Sequence, residues 1–353
     1  MCKAVIASRL KALTCLLLLV ALPAAAFEIE AERLFHGRAP VAEVRLLSTT
    51  DSDIAAPLIE AFLSTRPDLS VRYVMASSRE VFAAIADEGA PFDLVMSSAM
   101  DLQMKLANDG FARPHASDVA AALPDWARWR DLLFGFALEP VVVIVSLKGI
   151  EGLPIPQTRR DLIALLRENP AHFSGRVATY DPHLSGAGYL FFTEDARQTD
   201  AFWRLAEVMG RLEARLYCCS VDMIEDLAAG NILIAYNVVG SYAASHARRI
   251  PDTGIVELQD FTQALLRTGL IPVTAPRPDL GAALLDFTLS PEGQALARGP
   301  TGFPPLDSGA IRLSAHIRPI RLDPGLLVGL DRMTRAIFLR EWDAALNQPL
   351  AGR

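Results

Sequence analysis

VRLLSTTDSDIAAPLIEAFL, residues Val44 to Leu63, reads as a short apolar strand, a hydroxyl-rich turn and an amphipathic helix. Ser48, Thr49, Thr50 and Asp51 are all good N-cap residues, so the strand delivers the chain to a helix start. The first N–H groups of such a start lack intrahelical partners and attract anions. The same pattern recurs in DLVMSSAMDLQMKLANDG, residues 93–110, where Ser97 and Ser98 follow a strand. Ser77 and Ser78 open a further helix after VRYVM, and YDPHLSGAGYLFF places Ser185, Gly186 and Gly188 between a strand and a helical segment. One such turn is commonly only a cap. Four of them form a binding cleft if all lie at carboxyl ends of parallel strands, where open α/β sheets take their ligands.

Strand and helix alternate outward from this stretch, which predicts an α/β fold with a mostly parallel sheet. The expected helices run over 53–64, 79–87 and 99–108 in the first region, and over 159–168, 200–212 and 221–229 in the second. Between the regions, FGFALEPVVVIVSL is a continuous apolar run, as in a strand buried on both faces or crossing between domains. Helices are also expected over 280–289 and 291–297, and one strong helix over 326–346. In the last, Leu327, Leu330, Met333, Ile337, Phe338 and Trp342 recur at helical spacing, which predicts docking on the body of the protein.

The 353 residues, 51% hydrophobic and 21% charged, suffice for two ordinary domains. Lys3, Arg9 and Lys11 precede an apolar run from Leu16 to Leu22 and then Ala24, Ala25 and Ala26, the order of a secretory signal peptide cleaved near Ala26. The apolar run is far short of the ~20 residues of a spanning helix. An exported, periplasmic chain is therefore expected, beginning near Phe27. Its formal charge moves from −7 to −10 once the three basic residues leave, a poor balance for nucleic acid or an anionic membrane. Cys218 and Cys219 remain. A vicinal disulfide and a soft-metal clip are the alternatives to the reading preferred here, two buried small apolar side chains.

No catalytic constellation is visible. The six histidines are scattered without a metal-ligand spacing, there is no nucleophile elbow or phosphate-binding loop motif, and no cofactor or metal is indicated. Tyr236 and Asn237 interrupt the apolar strand ILIAYNVV, and Gly240 and Ser241 then start a helix that brings Tyr242 near the same strand end. Buried polar groups need partners, and a ligand in a cleft supplies them. All three are expected to face the ligand, the alternative being that they are packing residues.

Taken in order, STTDSD, DLVMSSAMDLQMKLANDG, FALEPVVVIV, ATYDPHLSGAGYLF, IAYNVVGSYA and ALLDFTLSPEGQALA resemble the periplasmic solute-binding proteins of ABC transporters. The resemblance covers about residues 42 to 300 and is nearest to the branch with ferric-ion and phosphosugar receptors and the phosphoglycerate transport regulatory protein. It implies a type 2 periplasmic binding protein, two lobes joined by crossing hinge strands that close on a ligand. Lobe one is expected over 41–138 plus 253–299, lobe two over 139–252, and 300–353 is a C-terminal helical extension. The expected ligand-binding residues are Ser48, Thr49, Thr50, Ser77, Ser78, Ser97, Ser98, Glu139, Ser185, Gly186, Tyr236, Asn237 and Tyr242. Ferric receptors of this branch carry adjacent tyrosines where this chain reads Tyr236-Asn237, so a small anionic organic ligand, a phosphorylated acid or sugar phosphate, is expected ahead of ferric ion. The implied partner is an ABC permease or a membrane histidine kinase, and the chain is read as a monomer and not as an enzyme.

Overall fold

The computed structural model describes residues 27–297, 305–306 and 315–347. The expected signal peptide over 1–26 and the expected lobe boundary at Gly299 lie outside the described residues. Strand β1 (Ala31–His36) is followed by β2 (Ala42–Ser48), helix α1 (Ser52–Thr65), β3 (Leu69–Met75), α2 (Ser78–Ala86), β4 (Leu94–Ser97) and α3 (Met100–Asn108). Short pieces β5 (Ala112–Arg113), α4 (Asp118–Ala121) and β6 (Arg128–Trp129) lead into the long strand β7 (Leu133–Ser146). The second half repeats the alternation: α5 (Arg159–Glu168), α6 (Pro170–Phe173), β8 (Val177–Tyr180), α7 (Gly186–Gln198), α8 (Ala201–Arg211), β9 (Arg215–Tyr217), α9 (Ser220–Ala228), β10 (Ile234–Val239) and α10 (Gly240–Ala247). The chain returns through β11 (Thr253–Val256) and β12 (Thr262–Pro272) to α11 (Pro278–Leu289) and α12 (Pro291–Ala297). Strand β13 (Ile317–Pro319), a 3-10 turn over Pro324–Leu330 and helix α13 (Arg332–Leu346) complete it.

Two α/β lobes share β7 and β12. On one side β3, β2 and β4 run parallel, with β1 antiparallel on the outer edge of β3. On the other side β10, β8 and β9 run parallel. Strand β7 pairs with β12 through residues 134–140 and with β10 and β11 through residues 141–146, so it crosses from one lobe to the other. Every residue of β7 except Pro140 is buried, and every residue of β12 is. That is the physical cause of the near-continuous apolar sequence of β7. Residues 253–256 extend the second lobe's sheet, because β11 pairs with Val143–Ser146.

Each lobe thus presents three parallel strands whose carboxyl ends open into helices. Strands β2, β3 and β4 deliver the chain to α1, α2 and α3, while β8, β9 and β10 deliver it to α7, α9 and α10. The lead-in over 27–43, which shows no period in sequence, supplies the edge strand β1.

The carboxyl-terminal helix differs from the expected 326–346 element. Residues 324–330 form a 3-10 turn, and Asp331 then caps α13 by accepting from the N–H groups of Met333 and Thr334, both at 3.0 Å. Met333 and Ile337 are exposed. The docking face is Phe338, Trp342 and Ala345, with the Trp342 ring stacked 4.5 Å from Phe192 and Phe338 packed on Phe202 and Trp203. The 3-10 turn packs on α3, and the Tyr189 hydroxyl of α7 donates to the Gly329 carbonyl. Among the described residues, no helix is long and apolar enough to cross a membrane.

Two outcomes follow from this packing. Trp342→Ala should cost about 3–5 kcal/mol, read as a fall in denaturant midpoint at constant slope. Asp101, in the first turn of α3, is fully buried, and burial pushes its carboxyl up to about 7. The folded chain then holds this proton more tightly than the unfolded chain. Stability is full below the ordinary value of 3.8 and falls as pH rises through about 7. Asp101→Asn should abolish that loss, worth up to about 4 kcal/mol, so the variant melts higher than wild type at pH 8 but not at pH 4.

Candidate functional site

The starts of six helices border one cavity of about 340 Å³ between the lobes. From the first lobe come Asp51 at the N-cap of α1, Ser77 and Ser78 at the start of α2, and Ser98 just before α3. From the second come Ser185 at the N-cap of α7, Cys219 at the N-cap of α9, and Val239 at the N-cap of α10. Each helix brings the positive end of its dipole.

Thr49, Ser77, Ser78, Ser98, Ser185 and Tyr242 of the expected ligand set line this cavity. The Ser98 N–H donates to Thr49 Oγ1 at 3.1 Å, which ties the turns after β2 and β4 together. The Asp51 N–H donates to the Tyr242 hydroxyl at 3.3 Å across the lobes. Ser77 and Ser185 cap their helices, accepting from Glu80 at 3.3 Å and Gly188 at 3.1 Å. Gly186 is the point of closest approach: its N–H donates to Ser78 Oγ at 3.2 Å, and a Cβ there would stand 2.6 Å from that oxygen. A side chain at this position would force the Ser78 hydroxyl and the Leu102 methyl to shift.

The other expected residues sit behind the wall. Ser48 Oγ accepts from Thr50 N–H at 3.1 Å and Ser97 Oγ from Ala99 N–H at 3.1 Å, so both are turn caps. Thr50 Oγ1 accepts from Arg267 Nη1 at 2.5 Å, and the buried Glu139 holds the Arg267 Nε while accepting from Ser241 N–H at 3.1 Å.

Tyr236 and Asn237 require a correction: they do not line the cavity. The β7–β10 register shifts between Ala235 and Val238, and Asn237 has φ 68°, so the two polar residues form a bulge, with asparagine in the left-handed region it tolerates. Both side chains point into the second lobe, onto Asp195. That carboxylate accepts from the Tyr236 hydroxyl at 2.6 Å, Asn237 Nδ2 at 3.0 Å, Arg159 Nη2 at 2.7 Å and Gln263 Nε2 at 2.6 Å. The polar break in the apolar strand therefore serves an internal network. Cys218 and Cys219 are also corrected: they are exposed and half-buried, and both line the cavity.

Sequence reasoning missed Glu30, Tyr180, Ser220, Asp222 and Arg267, which line the cavity too. The signal for Arg267 was a lone charge inside the apolar run QALLRTGLIPV, where an unpaired guanidinium is too costly to bury. Glu30 carries no motif, because it reaches the site from the lead-in segment. Burial and the nearby Asp51, Glu28 and Asp222 carboxylates raise the Glu30 carboxyl above its usual range. Burial likewise raises Asp51, opposed by the Tyr242 hydroxyl and Arg267. The cavity therefore combines helix N-termini and one guanidinium, suited to an anion, with carboxylates that accept hydrogen bonds from hydroxyl or ammonium groups.

Residues 47–300 match the model of a family described as bacterial extracellular solute-binding protein. The substrate binding protein of an ABC transporter from Agrobacterium tumefaciens is 32% identical, with TM-score 0.85 over 90% of this chain and 98% of that one. The periplasmic binding protein AfuA from Actinobacillus pleuropneumoniae, solved with exogenous fructose-6-phosphate bound, is 17% identical, with TM-score 0.69 over 88% of this chain and 100% of that one. Iron-bound HitA from Pseudomonas aeruginosa is 17% identical, with TM-score 0.63 over 86% and 97%. A search of curated proteins finds no match.

The Asp195 network separates structure from binding. Tyr236→Phe should cost about 1–3 kcal/mol of stability, seen in denaturant unfolding, while leaving the affinity for any ligand that stabilises the wild type unchanged.

Proposed function

Since the chain belongs to the bacterial extracellular solute-binding proteins, we propose that it captures a phosphorylated polyol, of the sugar-phosphate class, in the periplasm for an ABC permease, acting as a monomer. The observation that carries this reading is the convergence of six helix N-termini and Arg267 on a cavity that Glu30, Asp51 and Asp222 also line. A bare anion would meet repulsion from those carboxylates. An anion attached to a chain of hydroxyl groups gives each part of the wall its complement. About 340 Å³ also matches a small organic molecule. We take lobe one as 41–138 with the returning segment from β12 to 299, lobe two as 139–252 with β11 attached, and the rest as the extension.

Ferric ion is the weaker reading, because the Tyr236 phenol is spent on Asp195 and burial raises the Tyr242 phenol, disfavouring its phenolate. An ABC permease is preferred to a membrane histidine kinase because the 32% identical neighbour is described as the substrate binding protein of an ABC transporter.

The test is a thermal-shift screen of the mature chain, in EDTA, against sugar phosphates, unphosphorylated sugars and inorganic phosphate. A sugar phosphate at ~100 times its dissociation constant should add about 2.7 kcal/mol of apparent stability, with the two half-molecules much weaker. Ser98→Ala should then weaken it roughly tenfold or more, the loss of a hydrogen bond to a charged group. No response to any phosphorylated compound, with visible colour on adding ferric ion to a separate EDTA-free sample, would replace this reading by the iron receptor.

A further inference from the structure

Cys218 and Cys219 end β9's connection to α9, and Asp222 stands one turn on, in the first turn of that helix. The two sulfurs are 3.4 Å apart, and Cys218 Sγ is 3.5 Å from Asp222 Oδ2. The three ligand atoms all lie within 4.8 Å of one another. Two sulfurs and an oxygen bound tetrahedrally at zinc distances stand about 3.8 Å (S to S) and about 3.6 Å (S to O) apart. The Cys218–Cys219 and Cys218–Asp222 separations are thus within a few tenths of an ångström of ligating values, and the third atom pair lies within 4.8 Å.

We propose that Cys218, Cys219 and Asp222 form a binding site for a thiophilic divalent cation of the zinc class, with the fourth coordination position open to the interlobe cavity. Two thiolates and a carboxylate are a donor set that zinc accepts, and three protein ligands leave one position free. The surroundings favour a cation, since Glu30 and Asp51 line the same cavity and add negative charge. As the ion enters, the two S–H bonds break, both protons pass to solvent and the sulfurs bind as thiolates. Burial raises both thiols, which favours the neutral S–H form until an ion binds. The site uses no group of the Asp195 network, and it does not rest on the sugar-phosphate reading.

The experiment is a titration of the reduced mature chain with cobalt(II) alone, free of oxygen, followed by zinc. One equivalent of cobalt should give a thiolate-to-cobalt charge-transfer band and intense tetrahedral d–d bands, and one equivalent of zinc should bleach both. Cys218→Ser with Cys219→Ser should abolish the charge-transfer band and the zinc-induced rise in melting temperature. Its metal-free melting temperature, measured in EDTA, should match wild type and so exclude misfolding. Asp222→Asn should keep the sulfur band and weaken zinc by about tenfold or more, the scale on which even supporting groups act. Absence of the charge-transfer band in reduced wild type, or its persistence in the double serine variant, overturns the proposal. The sugar-phosphate screen, run in EDTA, is read separately, so either idea can fail while the other stands.

Discussion

The ion pair between Arg267 and Glu139 is the contact on which the remaining architecture depends. It joins the two crossing strands at the one place where their pairing slips, between Arg267 and Thr268, and both side chains are almost wholly excluded from water. Two such charges are buried at a cost of several kcal/mol each, offset only when every remaining hydrogen-bonding position is used. Here Thr50 takes an N–H of the guanidinium and the Ser241 N–H takes the second carboxylate oxygen. The pair therefore orients the turn before α1 in one lobe and the start of α10 in the other. Removing either partner leaves the other charged and buried, so both lobes and the strands between them are specified together.

Six helix starts around a single cavity follow from the symmetry of the two lobes. Each lobe is a parallel sheet segment, and parallel strands place all their helix entries at one end. The crossing strands then turn the two ends toward each other. No individual serine creates the site. Ser77 and Ser185 are there because helix starts need caps, and the site is where the helix starts of two sheets meet.

This explains what was legible in the sequence. Alternating strands and helices and the hydroxyl-rich turns are local patterns, and Thr49, Ser77, Ser78, Ser98 and Ser185 could be read from them. Tyr236 and Asn237 could not, because a polar break in an apolar strand looks the same whether its partner is a ligand or a buried aspartate from another helix. Asp195 lies about forty residues earlier, within an unremarkable helix. Glu30 and Arg267 reach the cavity by tertiary placement alone. The two cysteines were misjudged because free cysteine is usually buried, whereas these occupy a strand-to-helix junction that opens onto the cleft.

The carboxyl-terminal segment has a bearing on timing. Its 3-10 turn packs on α3, rooted in the first lobe, and is bonded through Gly329 to Tyr189 of α7, rooted in the second. Its helix is anchored by Trp342 on the second lobe. A turn held by helices from both halves must yield when they part, so its contacts add to the barrier for opening. On the function proposed above, a residue that never meets the ligand would thereby lengthen the time a captured molecule stays inside, making release adjustable from the far end of the chain.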